Sequence, residues 1–306
     1  MTIKKILPQN NSPEKGFFFL LGFILLGYAF GTLISYCILT FYSHYQPETS
    51  LSGLLNNTTI LKWYNAVNSV FTFAFPALIT NRLCNIKFTE NKEKRPHNAT
   101  ILLFGSFIGI VALFPFINYL SDLNMSLSLP SWASGLETLM RNLENEMQEL
   151  SQKFLLAENF SDLFFNLIIM ALIPAITEEI LFRGSLQQLI YRHTKKSLYS
   201  IWFTAFIFSI VHLQFYTFLP RFILGGYLGF LFYRTGSLFI PIFAHFTNNM
   251  LCVCLEYGVQ HHYIDSDLTE HIGTGDTMWM SIVGFIIFGI ILYQLFFSSK
   301  QSNLLH

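Results

Sequence analysis

Residues 167–190 read LIIMALIPAITEEILFRGSLQQLI, a long apolar run that contains charged groups. The run exceeds the roughly 20 apolar residues that a helix needs to cross a bilayer. Glu178, Glu179 and Arg183 lie well inside it. Ionisable groups at that depth are costly unless they are paired, and they usually mark a functional site. The stretch therefore predicts a membrane-spanning helix whose charged residues face the interior of a helical bundle.

The composition of the whole chain also indicates a membrane protein. Of its 306 residues, 52% are hydrophobic and 12% are charged, and the mean hydropathy is +0.46. A soluble domain carries roughly 25% charged residues. The formal net charge is zero, so nothing favours a nucleic-acid partner. The four cysteines lie in or beside apolar segments, which predicts buried free thiols.

Eight apolar runs predict an all-α, polytopic bundle of about eight transmembrane helices. The runs are residues 17–41, 60–82, 99–120, 163–190, 198–216, 219–234, 237–256 and 277–297.

Lysine and arginine residues predict that both termini are cytoplasmic, because cytoplasmic connections carry an excess of these residues. With eight spans and a cytoplasmic N-terminus, thirteen lysine and arginine residues lie on the cytoplasmic side: Lys4, Lys5, Lys15, Arg82, Lys87, Lys92, Lys94, Arg95, Arg192, Lys195, Lys196, Arg234 and Lys300. The opposite loops, 42–59 and 257–276, contain neither residue type.

One further outside segment, 131–160, carries apolar residues at helical spacing among its charges. It predicts an amphipathic helix that lies on the membrane surface or caps the bundle, with substrate gating as an alternative.

Only two acidic residues and two histidines lie well within predicted spans. These are Glu178, Glu179, His212 and His245, which belong to three different spans. Residues four apart share a helix face, so we expect Glu179 to pair with Arg183. Glu178 has no such partner on its own helix, and we expect its carboxylate to look across the bundle. A purely structural role of the Glu179–Arg183 pair remains an alternative at this stage.

The histidines suggest hydrolytic chemistry when they are taken together with Glu178. His245 and Asn249 are four residues apart and offer an imidazole and an amide on one face, while Phe208 lies four residues before His212 and could pack beneath its ring. A carboxylate and an imidazole can deprotonate water, and an imidazole and an amide can hold an oxyanion. Glu178, His212 and His245 could instead hold a catalytic zinc ion, although the sequence contains no H-E-x-x-H motif.

Three motifs resemble those of the CPBP intramembrane proteases. Glu178 to Arg183 matches E-E-x-x-x-R, Phe208 to His212 matches F-x-x-x-H, and His245 to Asn249 matches H-x-x-x-N. This family comprises the type II CAAX prenyl endopeptidases and the related Abi-like bacteriocin-processing and immunity proteins. The resemblance covers residues 160–256, and it implies a catalytic core at 161–256. Residues 1–160 would then hold N-terminal transmembrane helices and the amphipathic helix, and 257–306 a loop and the last transmembrane helix.

The resemblance implies an intramembrane endopeptidase of a prokaryotic cell membrane that acts on a membrane-associated peptide or protein. By motif position, Glu178 is the base, His212 helps to activate water, and His245 with Asn249 forms the oxyanion hole. Glu179, Arg183 and Phe208 are supporting residues. No cofactor is required by this mechanism, and a zinc-dependent variant is the alternative. A non-catalytic scaffold or bacteriocin-immunity protein and an ion-relaying transporter are further alternatives, although the first half of the chain has no matching ionisable set.

Overall fold

The computed structural model describes residues 12–45, 57–88 and 99–301, and within these ranges all regular structure is helical. We number the helices α1 (Pro13–Tyr45), α2 (58–83), α3 (Ala99–Met125), α4 (Ser134–Leu155), α5 (Phe160–Thr194), α6 (Ser197–Ile210), α7 (Phe218–Thr235), α8 (Phe239–Gln260), α9 (Ser266–His271) and α10 (Met278–Gln301). The predicted all-α class is therefore confirmed.

Among the described residues, six helical segments are long and apolar enough to cross a membrane, so the chain is a multi-pass membrane protein. They are Pro13–Phe41, Thr100–Met125, Phe160–Thr194, Phe215–Thr235, Phe239–Gln260 and Gly275–Leu295. Each coincides with one of the eight predicted spans. Large apolar side chains such as Phe18 and Leu25 on α1 and Ile286 on α10 are exposed, as expected for helices that contact lipid.

The other two predicted spans differ from these six. Residues 60–82 lie in α2, and the first turns of this helix are less apolar because they carry Lys62. This lysine is buried, and its Nζ donates to Oδ1 of Asn166 at 2.8 Å. The run 198–216 is too long, because α6 ends at Ile210 and is shorter than a span requires. The cytoplasmic placement of both termini stays a prediction, and Lys4, Lys5, Lys92, Lys94 and Arg95 lie outside the described residues.

The predicted amphipathic helix is present as α4 and packs against α2, α8 and the turn 215–217. It therefore covers one end of the bundle, with Phe154 buried against its neighbours. The prediction that the cysteines are buried was correct only for Cys84. Cys37, Cys252 and Cys254 are free thiols exposed on apolar helices, because the hydrophobic pattern of a span does not distinguish its lipid-facing side from its interior side.

Two apolar cores meet near the middle of the bundle. The first joins α3, α7, α8 and α10, and its members include Ile110, Leu228, Ala244 and Phe288. The second joins α1, α2, α5 and α6, and its members include Leu20, Ala77, Leu181 and Phe208. The ring of Phe208 lies 6.0 Å from the ring of His245, the neighbour of Ala244. The intramembrane ionisable residues therefore lie where the two cores meet.

Helix α5 contains two wide turns of π geometry, Leu167–Leu172 and Phe182–Leu186. The first directly precedes Pro174, which cannot donate a backbone hydrogen bond to the preceding turn. The second includes Arg183. Turns of this kind recur at functional sites in proteins, and here they bracket the segment Ile173–Leu181 that carries both glutamates.

Candidate active site

Glu179 and Arg183 form an ion pair that is fully enclosed by protein. Nη1 of Arg183 donates to Oε1 of Glu179 at 2.5 Å, and both side chains are 0% exposed. This is the partnership that their four-residue spacing predicts. Removing two charges from water is expensive unless each is well paired, so the pair depends on the remaining contacts of both groups.

Arg183 makes two further contacts that fix its guanidinium. Nη2 donates to the backbone oxygen of Gly225 on α7 at 2.9 Å, and the guanidinium carbon lies 5.1 Å from the centre of the Phe208 ring. A Cβ atom at Gly225 would lie only 3.2 Å from Ala205 and from Phe208. The glycine therefore lets α7 approach α6 closely enough for its carbonyl to reach the arginine.

His245 lies between the two glutamates of α5. Its Nδ1 is 2.9 Å from Oε1 of Glu179, and its Nε2 is 3.8 Å from Oε2 of Glu178. A carboxylate accepts hydrogen bonds, so Nδ1–H donates to Glu179 and the ring orientation is fixed. Nε2 is thereby directed toward Glu178. Our sequence reasoning gave Glu179 only Arg183 as a partner and missed His245. Neighbouring glutamates point about 100° apart on a helix, and one ring can lie between them.

Glu178 differs from Glu179 in having access to a space beside it. Its side chain is 13% exposed, against 0% for Glu179. The 3.8 Å separation from His245 exceeds hydrogen-bond length and matches contacts in which water links two polar groups. The carboxylate therefore faces the bundle interior and the His245 ring, as its lack of a partner on α5 predicts.

His212 lies on the turn that follows α6, not within a helix. Its Nδ1 is 2.7 Å from the backbone oxygen of Phe208, and because a carbonyl only accepts, Nδ1–H is the donor. Nε2 is then the nitrogen left for a ligand. The His212 ring and the His245 ring, which faces Glu178, both pack against Phe208.

Phe208 connects the functional side chains physically. The side chain is 2% exposed, and its ring centre lies 5.0 Å from that of His212 and 6.0 Å from that of His245, both in edge-to-face geometry. With the Arg183 contact described above, one aromatic ring touches three polar groups. The sequence predicted the packing of Phe208 against His212, which is one of these three polar contacts.

Asn249 lies one turn after His245 on α8 and is partly buried. Its Oδ1 accepts a hydrogen bond from Nδ2 of Asn248 at 3.3 Å. Among the residues that the structure describes, its own Nδ2 donates no hydrogen bond within the protein. This amide is therefore available as a donor on the same helix face as His245.

A zinc ion does not fit this set of residues as it is arranged. Within the described ranges, no three or more His, Cys, Asp or Glu side chains are grouped so that they could hold a metal ion. The Nδ1 bonds of His245 to Glu179 and of His212 to a backbone carbonyl leave both Nε2 atoms free, as in a zinc-binding histidine, so the fit depends on how the three side chains are grouped. The trio of Glu178, His212 and His245 therefore lacks the shared centre that a catalytic zinc site requires.

Comparison with known proteins identifies the region that carries this geometry. Residues 160–251 match the family described as type II CAAX prenyl endopeptidase Rce1-like. This region is similar to the Rce1-like family. The Rce1-like region begins with α5 and ends within α8, and it includes all the side chains described above as meeting around Phe208.

One curated relative is similar to the chain over part of its length. It is the "Putative membrane peptidase YdiL" of Bacillus subtilis (strain 168), 28% identical over 104 residues. The alignment covers 34% of this chain and 42% of the relative, so less than half of the relative's length is matched. No solved structure matches the chain. The likeness to this relative therefore extends over about a third of the chain.

Proposed function

We propose that this protein is an intramembrane endopeptidase that hydrolyses a peptide bond of a membrane-associated protein or peptide. The observation that carries the proposal is the position of His245 between Glu179, which fixes its ring, and Glu178, which faces its other nitrogen. An enclosed carboxylate beside oriented imidazoles is suited to proton transfer with water. The similarity of residues 160–251 to the Rce1-like family supports this choice over a transporter or an ion pathway.

In the first step, Glu178 accepts a proton from water while the water oxygen attacks the carbonyl carbon of the substrate. Nε2 of His212 assists by accepting the second hydrogen of that water in a hydrogen bond, since its Nδ1–H is held by Phe208. The attack converts the carbonyl into a tetrahedral intermediate with a negatively charged oxygen. The dry surroundings strengthen each of these hydrogen bonds.

In the second step, His245 and Asn249 stabilise the oxyanion. With its ring protonated, His245 donates through Nδ1–H to Glu179 and presents Nε2–H to the space beside Glu178, while Asn249 offers its Nδ2 hydrogens. Donors that are fixed before the charge develops contribute most to such reactions. The intermediate then collapses as the carbon–nitrogen bond breaks, and Glu178 returns its proton to the leaving amine.

The proposal is tested by cleavage of a fluorogenic peptide library with the purified protein in lipid nanodiscs. We expect Glu178→Gln to lower cleavage by at least about 100-fold, the scale of general-base catalysis. Glu146→Gln removes a charge from an exposed glutamate on α4 and should leave cleavage unchanged. Equal cleavage by the wild type and Glu178→Gln would exclude Glu178 as the base.

The same inactive variant can identify the substrate. Glu178→Gln keeps the shape of the site, so it should retain an uncleaved membrane-associated substrate that the wild type releases, and the retained chain can be identified by mass spectrometry. If cells that carry Glu178→Gln keep every wild-type phenotype, the protein acts as a scaffold or an immunity protein and not through hydrolysis.

A further inference from the structure

The turn that carries His212 has an unfavourable backbone conformation directly after the histidine. Leu213 has a φ of +54°, a region that bulky residues rarely adopt. Its side chain is 55% exposed, so burial of Leu213 itself does not hold the turn in place. Strained backbone persists where surrounding contacts impose it, and those contacts can be identified here.

Glu144 on the amphipathic helix α4 provides three of these contacts. Its carboxylate accepts hydrogen bonds from the backbone N–H of Tyr216 at 3.0 Å, from Oγ1 of Thr217 at 3.0 Å and from Nε2 of Gln214 at 3.4 Å. All three donors lie within five residues after His212. Glu144 is 7% exposed, whereas Glu146 on the same helix is exposed. The chain thus buries one acid of a largely solvated helix against this turn.

Arg221 of α7 binds the side chains of Gln214 and Thr217, which also donate to Glu144. Its Nη1 donates to Oγ1 of Thr217 at 2.5 Å, and its Nη2 donates to Oε1 of Gln214. Gln214 and Thr217 therefore link the guanidinium of Arg221 to the carboxylate of Glu144. Hydrogen bonds to charged groups are stronger than those between neutral groups, so the turn is fastened at both of these residues.

Asn124, near the end of α3, adds a third attachment. Its Nδ2 donates to the backbone oxygen of Phe215 at 2.9 Å, and its Oδ1 accepts from the backbone N–H of Leu219 at 3.0 Å. The turn is thus attached to α3, α4 and α7. The attachment through Glu144 comes from a helix that lies outside the Rce1-like region and covers the end of the bundle, and Arg141 of the same helix lies 4.4 Å over the Tyr216 ring.

We propose that Glu144 is a positioning residue for His212. It touches none of the groups that react in the proposed hydrolysis, and it acts by holding the turn 214–217 so that the His212 ring stays against Phe208, which also contacts His245. This inference rests on the proposed function for its catalytic consequence, but the mechanical link between Glu144 and His212 does not depend on hydrolysis. Displacements of about 1 Å in a catalytic group can lower a rate by about 100-fold.

The link is tested on the full-length protein in detergent micelles by NMR of ¹³C-labelled histidine rings. The His212 and His245 signals are assigned from their loss in His212→Gln and His245→Gln. We expect Glu144→Ala to shift or broaden the His212 signal and to leave the His245 signal in place. Glu146→Ala, the matched control on the same helix, should change neither signal.

Cleavage provides the second readout. We expect Glu144→Ala to lower kcat by about 10- to 100-fold with little change in KM. Glu144→Gln keeps one acceptor oxygen for the Tyr216 N–H and should restore part of the rate and part of the His212 signal. If Glu144→Ala fails to fold, the comparison of Glu144→Gln with Glu146→Gln decides the question.

The outcomes separate this inference from the proposed function. An unchanged His212 signal in Glu144→Ala overturns the inference whether or not the protein cleaves peptides. A displaced signal with an unchanged kcat overturns the positioning role in catalysis. If the wild type cleaves no peptide, the proposed function fails, whereas the NMR comparison still decides whether Glu144 holds His212.

Discussion

Nδ1 of His245 lies 2.9 Å from Oε1 of Glu179, the same oxygen that Nη1 of Arg183 binds at 2.5 Å. One carboxylate oxygen therefore joins the α5 ion pair to the histidine of α8. The other oxygen, Oε2, is buried without a hydrogen-bond partner within the described structure. Glu179 therefore holds Arg183 and His245 in place, and the proposed mechanism assigns proton exchange to Glu178.

The buried ion pair should be more important for stability than for proton transfer. We expect Glu179→Gln to destabilise the fold by about 3–5 kcal/mol, because it leaves Arg183 charged and enclosed without its counter-ion. The measurement is chemical unfolding in detergent, followed by tryptophan fluorescence. Glu14→Gln is the matched control, since it changes an exposed glutamate whose carboxylate contacts His193 at 2.8 Å and should change stability little. Similar losses in the two variants would contradict the assignment.

Phe208 should affect activity through the rings that it supports. We expect Phe208→Leu to fold, because the apolar volume is largely kept, and to lower kcat by about 10-fold or more as His212 and His245 lose their common neighbour. Phe206→Leu changes an exposed phenylalanine on the same helix and should leave kcat unchanged. Steady-state kinetics on both variants, with thermal unfolding as a check of folding, makes the comparison. Equal kcat values would show that the ring contacts do not matter.

Asn249 should contribute in the transition state and not in substrate binding. Loss of one oxyanion donor typically lowers kcat by about 100- to 1,000-fold, so we expect Asn249→Ala to show such a fall with KM nearly unchanged. Asn248→Ala removes the neighbouring amide, whose hydrogen bond reaches only Oδ1 of Asn249, and should have a much smaller effect. A rise in KM with a constant kcat would assign Asn249 to substrate binding instead.

Metal chelation should not change the rate of peptide cleavage. The expectation follows from the grouping of the candidate donors, since within the described residues no three or more His, Cys, Asp or Glu side chains lie together as a metal site requires. Peptide hydrolysis is measured after dialysis against 1,10-phenanthroline, and again after zinc is added back. Activity that is lost on dialysis and returns with zinc would establish the zinc-dependent mechanism.

The sequence predicted the local features of the site and missed the contacts between distant segments. The Glu179–Arg183 pair follows from helical spacing alone, and the amphipathic pattern of 131–160 predicted α4. No such period relates Glu179 to His245, 66 residues later. The buried role of Glu144 was missed because a glutamate on an amphipathic helix has the pattern of a solvated residue.

The predicted number of spans also differs from the structure because the sequence pattern does not reveal contacts between distant segments. Residues 198–216 have the composition of a transmembrane helix, but α6 ends at Ile210, and the turn that follows depends on contacts from three other helices. Lys62 was likewise hidden within a predicted span, because its partner Asn166 belongs to another helix. Hydropathy measures the environment that a segment prefers, not the neighbours that end or bury it.

The two wide turns of α5 also constrain how this helix can change during evolution. Each π turn accommodates one residue more than an α-helical turn would, and one residue corresponds to about 100° of rotation around a helix axis. A single-residue deletion in Leu167–Leu172 would therefore give an unbroken α-helix whose later side chains keep their neighbours. The same deletion within the α-helical segment Ile173–Leu181 would instead rotate the later side chains by about 100°. Changes of length among homologous chains should therefore be found at the π turns and not in the segment that carries the two glutamates.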